Sequence, residues 1–205
     1  MNAWVTVDLL RKLEASKGLQ LQRLDTVAAG LRAVALREKE SAFRENELCR
    51  NVYVVRSGLL KQVYTSEDGV ESIKSFAREG EPFACPVALS GGTTTFASVA
   101  IEPSVVEAVD WRVVERLGEA DLSWQKAIRF AFQHLAELKV RRERELLMLT
   151  PEQLYRQFAS AAPRLAERIP QKDLAAFLGV TPVGLNRIIR RVAGRSRMPA
   201  RSRRR

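Results

Sequence analysis

The chain has 205 residues, 46% of them hydrophobic, and carries 34 Lys and Arg against 24 Asp and Glu, a net charge of +10. That length holds one large core or two modest ones, and no run of eighteen apolar residues exists to make a helical membrane span. Two distant cysteines, Cys49 and Cys85, and one histidine, His134, give no metal-ligand spacing, no iron–sulfur set and no triad, so neither a metal or other cofactor nor catalytic residues are expected.

The charge is uneven. Residues 151–205 hold 13 Lys and Arg against 3 Asp and Glu, whereas residues 1–150 hold 21 of each. One basic end on a neutral body points to an anionic partner, most often nucleic acid. The opening MNAWVTVDLLRKLEASKG is charged and amphipathic, unlike a secretory signal, so a cytoplasmic protein is expected.

In chain order, Val7, Leu10 and Leu13, then Leu21, Leu24, Val27 and Leu31, have helical spacing and predict two short helices about the Lys17–Gly18 break. From about Val34 to Val114 the apolar runs become short and β-rich: VYVV, LLKQVY, SIKSFA, FASVAIE and VVEAVD. Asn46, Ser57–Gly58, Asp68–Gly69, Glu79–Gly80 and Gly91–Gly92 separate them as turn signals, and SEDG reads as a hairpin. Many short strands at this spacing mean an antiparallel roll or sandwich. Residues 119–149 are helical again, with Ile128, Ala131, Leu135 and Leu138 spaced as a coiled-coil-like seam. That seam packs within the chain or, as its length favours, against a second copy. Thr150–Pro151 caps and opens a further helix.

The stretch QKDLAAFLGVTPVGLNRII, residues 171–189, has the pattern of a helix-turn-helix. Leu174, Leu178, Val180, Leu185 and Ile188 supply its core, and Ala175 allows close approach. Gly179 suits a left-handed turn residue, and Thr181–Pro182 starts the second helix. A corner inside an unrelated core would be apolar on both faces of that helix, but Asn186, Arg187, Arg190 and Arg191 line the far one. The expected role is entry into the major groove of double-stranded DNA, with Val183 against a thymine methyl, Asn186 on adenine and Arg187 on guanine. Gln171, Arg190, Arg191 and the tail would reach phosphates, and Thr181, the helix cap, is counted among the DNA-binding residues.

The VYVVRSG strand, the following DG hairpin, the long helix, RERELLMLTPEQLY and IPQKDLAAFLGVTP together resemble the Crp/Fnr transcription regulators over residues 20–193. The resemblance implies an α+β chain. Residues 1–118 would be an N-terminal antiparallel β-roll of the double-stranded β-helix or jelly-roll type with its leading helices, similar to cyclic-nucleotide-binding domains. Residues 119–149 would be the dimerisation helix, 150–193 the helix-turn-helix domain and 194–205 a disordered basic tail. It implies a homodimer reading a two-fold repeat, an effector that acts through the long helix, and RNA polymerase as a further candidate partner.

The departures are specific. Where cyclic-nucleotide binders of this kind carry a Gly-Glu and an Arg-Ser pair, the chain has Ala84–Cys85 and Thr95–Phe96. A phosphate without its arginine loses a charge-assisted bidentate partner, so useful binding of cyclic AMP or cyclic GMP is not expected. The remaining pocket, drawn from Phe83, Cys85, Pro86, Leu89, Thr95, Phe96 and Val99, reads as more apolar than a nucleotide site. It either takes a less charged, unidentified effector or is collapsed. Cys85 has no neighbouring base in sequence to activate its thiol. In the second hairpin helix the family's Glu is replaced by Val183, and Gly184 weakens the helix by about 1 kcal/mol relative to Ala. No wing hairpin is expected after this helix, and the arginine tail is expected to make that backbone contact instead. A competing reading is a ligand-binding or scaffolding protein with a vestigial hairpin.

Overall fold

The computed structural model describes residues 4–196, so the part of the basic tail from residue 197 onward lies outside the described residues. The chain divides into two compact units, Met1–Leu138 and Lys139–Arg205. Among the described residues no helix is long and apolar enough to cross a membrane.

The first unit opens with α1 (Val5–Lys17) and α2 (Leu24–Gly30), on either side of the predicted break. Strand β1 (Arg32–Leu36) follows at once, so the backbone turns extended slightly before the predicted position. The remaining strands are β2 (Ser41–Phe43), β3 (Asn51–Ser57), β4 (Leu59–Thr65), β5 (Glu71–Arg78), β6 (Pro82–Phe83), β7 (Ala97–Ala100) and β8 (Ser104–Asp110). A four-residue helix, α3 (Pro86–Leu89), lies between β6 and β7. The strands form two four-stranded antiparallel sheets, ordered β1-β8-β3-β6 and β2-β7-β4-β5. The fold is thus α+β with an antiparallel roll, as the strand pattern predicted.

Local chemistry explains the turns. The SEDG segment closes β4 onto β5 through Ser66 N–H to Val70 O at 3.0 Å and Gly69 N–H to Ser66 O at 2.9 Å. Gly58, between β3 and β4, has φ of +98°, and a Cβ there would collide with Ser104. Only glycine fits both demands. Inside the roll, Leu36, Phe43, Tyr53, Val55, Leu60, Phe83, Phe96 and Val106 form one buried cluster. A second cluster, with Leu21, Val27, Leu31, Val109, Leu117, Trp124 and Ala127, packs α1 and α2 against the outside of β8.

The structure corrects the start of the long helix. Residues Trp111–Ala120 form a separate helix, α4, before α5 (Leu122–Met148). Each start has its own carboxylate cap: Asp110 accepts the Arg112 N–H at 2.9 Å, and Asp121 accepts those of Ser123 and Trp124 at 2.7 and 3.0 Å. Two Asp caps eleven residues apart were the signal that hydrophobic periodicity alone passed over. The break also changes the seam. A Cβ on Gly118 would lie 2.7 Å from Ile128 Cδ1, so Ile128 packs against α4 of its own chain. Phe132 meets Trp111 edge-on, with ring centroids 5.9 Å apart. Leu135 is half-buried, while Ala131 and Leu138 are exposed.

The second unit contains the last turns of α5 and then α6 (Pro151–Ala161), α7 (Pro163–Arg168), α8 (Gln171–Leu178) and α9 (Pro182–Ser196).

Candidate nucleic-acid interface

The α8–α9 hairpin is built by its own sequence. Leu174, Ala175 and Leu178 are buried on α8, and Leu185 and Ile188 on α9. Gly179 takes φ of +70°, and the Val180 N–H returns to Ala175 O at 3.0 Å, which ends α8 in a left-handed cap. Thr181 Oγ1 then accepts the Gly184 N–H at 3.1 Å, capping α9 at Pro182. Opposite the buried face, Val183, Asn186, Arg187 and Arg190 form one exposed stripe, since residues three and four apart share a helix face.

The other predicted contact residues stand differently. Gln171 is the exposed first residue of α8. The Thr181 hydroxyl already serves as a cap. Arg191 is exposed but donates to Glu152 Oε2 at 2.9 Å, while Arg156 donates to Glu152 Oε1 at 2.9 Å. The hydrogen bond from Arg191, and then that from Arg156, holds the Glu152 carboxyl below its ordinary range. Sequence reasoning missed Glu152; its one signal was an acid in an overwhelmingly basic segment. Thr150, Pro151, Glu152, Gln153, Val180, Ile188 and Arg191 line an open groove of about 490 Å³. Its α6 wall starts with a reciprocal cap: Thr150 Oγ1 accepts the Gln153 N–H, and Gln153 Oε1 accepts the Thr150 N–H.

In the roll, the predicted effector residues are partly gathered into core. Phe83, Cys85, Leu89 and Phe96 are buried, Pro86 and Val99 half-buried and Thr95 exposed. Phe43 links the rings: its centroid lies 5.8 Å from Tyr53 and 5.4 Å from Phe96, and Tyr53 stacks on Phe83 at 5.1 Å. Strand pairing also brings polar groups from β4 and β5 to this segment. Lys74 Nζ lies 4.1 Å from the Phe96 ring centre and donates to Gln62 Oε1 at 2.8 Å. Tyr64 meets Phe96 edge-on at 6.0 Å. Ser98, paired with Gln62 across β4 and β7, has a buried hydroxyl with no hydrogen-bond partner. Lys74, Gln62 and Tyr64 all lie far from Phe96 in sequence, so the segment alone could not show them. Cys85 accepts the Thr95 N–H at 3.4 Å. Burial pushes its thiol up, but the N–H donors of Thr95 and Ala88, the Thr95 hydroxyl and the Val87 N–H outweigh that and hold it below the ordinary value. Backbone dipoles do here what the missing bases do not.

The fold so defined, a two-sheet roll followed by a long helix and a helical unit, is of the Crp/Fnr type. Residues 33–121 match the family model of the cyclic nucleotide-binding domain. The structure is similar to that of FixK2 from Bradyrhizobium japonicum, with a TM-score of 0.71 and 19% identity over 85% of this chain and 90% of that one. It is also similar to a CooA variant from Carboxydothermus hydrogenoformans, with a TM-score of 0.66 and 16% identity over 87% of this chain and 83% of that one. CLP from Xanthomonas campestris, described as a c-di-GMP-responsive global regulator, matches with a TM-score of 0.61 and 14% identity over 87% of this chain and 94% of that one. No curated protein sequence matches the chain.

Proposed function

We propose that this chain is a homodimeric transcription regulator that reads a two-fold DNA repeat through α9. The observation that carries the reading is the two-faced α9: Leu185 and Ile188 are buried, while Val183, Asn186, Arg187 and Arg190 lie along the open face. A helix held this way offers a methyl contact, an amide and a guanidinium to base edges, and Arg190 to phosphate. Arg191, engaged by Glu152, is reassigned from phosphate contact to bracing α9 on α6. The excess charge of the C-terminal quarter supports an anionic partner.

Dimerisation belongs to the part of α5 that its own chain leaves open, Ala131 and Leu138, with Leu135 beside them. Two α9 helices related by two-fold symmetry read half-sites about one helical turn apart. Such a regulator would meet RNA polymerase at its promoter. The roll does not take cyclic AMP: Cys85 and Thr95 stand where a cyclic nucleotide needs carboxylate and guanidinium, and Phe43, Tyr53, Phe83 and Phe96 fill the interior.

The test is selection from a random duplex library with the purified protein, no ligand added, at about 0.15 M salt so that nonspecific phosphate binding is weakened. Enrichment of a two-fold repeat is the expected result. Binding without sequence preference would return the hairpin to a scaffolding role.

A further inference from the structure

The C-terminal turns of α5 hold a guanidinium that neither the seam nor the hairpin pattern uses. Arg142 has only 19% of its side chain exposed. Its Nη2 donates to Phe177 O at 2.5 Å. Phe177 is the penultimate residue of α8, immediately before the turn into α9. A carbonyl in the last turn of a helix sits at the negative end of its dipole. The bond from the guanidinium is therefore charge-assisted. The same guanidinium lies 3.8 Å from the Phe177 ring centre, and that ring packs on Phe158 of α6 at 5.4 Å. Nη1 is buried without a hydrogen bond, 3.9 Å from Glu145 Oε2. Glu145 Oε1 in turn accepts Gln157 Nε2 of α6 at 3.3 Å. One turn of α5 thus holds α8 through Arg142 and α6 through Glu145.

We infer that Arg142 is the positioning residue of the α8–α9 hairpin, fixing the end of α8, and with it the start of α9, on the C-terminal turns of α5. The assignment rests on the DNA-reading proposal for what the positioning serves; the clasp itself does not depend on it. Burial alone is a poor reason for an arginine here, because a half-buried guanidinium costs desolvation that an apolar residue would avoid. What an apolar residue lacks is direction: the planar fork fixes carbonyl and ring of one residue together.

Arg142→Met keeps the stem and loses the fork, and Arg142→Lys restores charge and one donor without the plane. Both are measured in the full chain against the selected duplex and a random duplex of equal length. The expected result for Arg142→Met is a loss of roughly tenfold or more on the selected duplex, as removal of a charge-assisted bond implies. The random duplex should change by less than about twofold, since the Arg142 guanidinium is engaged by Phe177 and adds no phosphate contact. Arg142→Lys should fall between. Equal losses on both duplexes, or no loss on either, overturn the assignment. Should Arg142→Met not fold, Phe177→Leu, which removes the ring and keeps the apolar volume, is held to the same comparison. Should the wild-type chain select no sequence, the DNA reading fails, and the clasp is judged by the backbone amide shifts of Gly179, Val180 and Thr181 in Arg142→Lys. Displaced shifts there, with those of α1 unchanged, uphold the positioning role, and unmoved shifts end it.

Discussion

Glu107 lies in the middle of β8 with no exposed surface, and it is there to receive another element. Its carboxylate accepts the N–H groups of Val5 and Thr6 at 2.9 and 2.8 Å and the Thr6 hydroxyl at 2.8 Å, with Arg56 at 3.9 Å. It thereby caps α1 from across the fold, a hundred residues away in sequence. Glu107→Ala leaves those donors buried and unpaired, which should cost about 2–4 kcal/mol, read as a lower thermal midpoint and early proteolysis within α1. On α9, Arg187→Ala should cost about 1–3 kcal/mol and relax preference at one base position per half-site. A selection profile identical to wild type would remove Arg187 from the reading set. At Asp110, the hydrogen bond from Arg112 holds the carboxyl below its ordinary value. A carboxyl depressed by folding stabilises above its unfolded pKa and loses that contribution as pH falls through the folded one. Wild type should therefore exceed Asp110→Asn in thermal midpoint at neutral pH, and the difference should shrink in acid. A gap independent of pH would show that only the cap geometry matters, since Asn also caps well.

At the scale of the element, α5 divides its labour along its length. Trp124 and Ala127 are buried in the first unit, and the Trp124 indole N–H donates to Gln22 O at 2.7 Å. Ile128 packs on Gly118. Farther on, Leu138 is 37% and Val140 65% exposed, and Leu138 is the position open to the second copy proposed above. Leu138→Glu should shift sedimentation to monomer with the unfolding midpoint of the roll unchanged. Ile128→Glu should lower that midpoint first, because it places a carboxylate against α4. If both variants behave alike, the division of α5 proposed here is wrong. The seam was legible as a repeat, but not as two surfaces, because periodicity shows which residues are apolar and not which neighbour reaches them.

For the whole molecule, the roll and the helical unit raise separate questions. Calorimetry of cyclic AMP against the full chain should show no binding heat; micromolar affinity would require a phosphate site that Thr95 and Phe96 do not provide. The strands, the SEDG turn and the hairpin were readable because each depends on neighbours in sequence: alternation of side chains, a glycine able to take positive φ, a threonine before a proline. The sequence by itself thus determined the class of fold, the basic end and the two faces of α9. Only tertiary structure decided that Lys74 and Gln62 reach the Phe96 segment, that Glu152 claims Arg191 and that Arg142 holds Phe177. Those pairs lie 12 to 39 residues apart or on different elements. Their partners are chosen by how strands register and helices cross, and no local pattern in the chain encodes that choice.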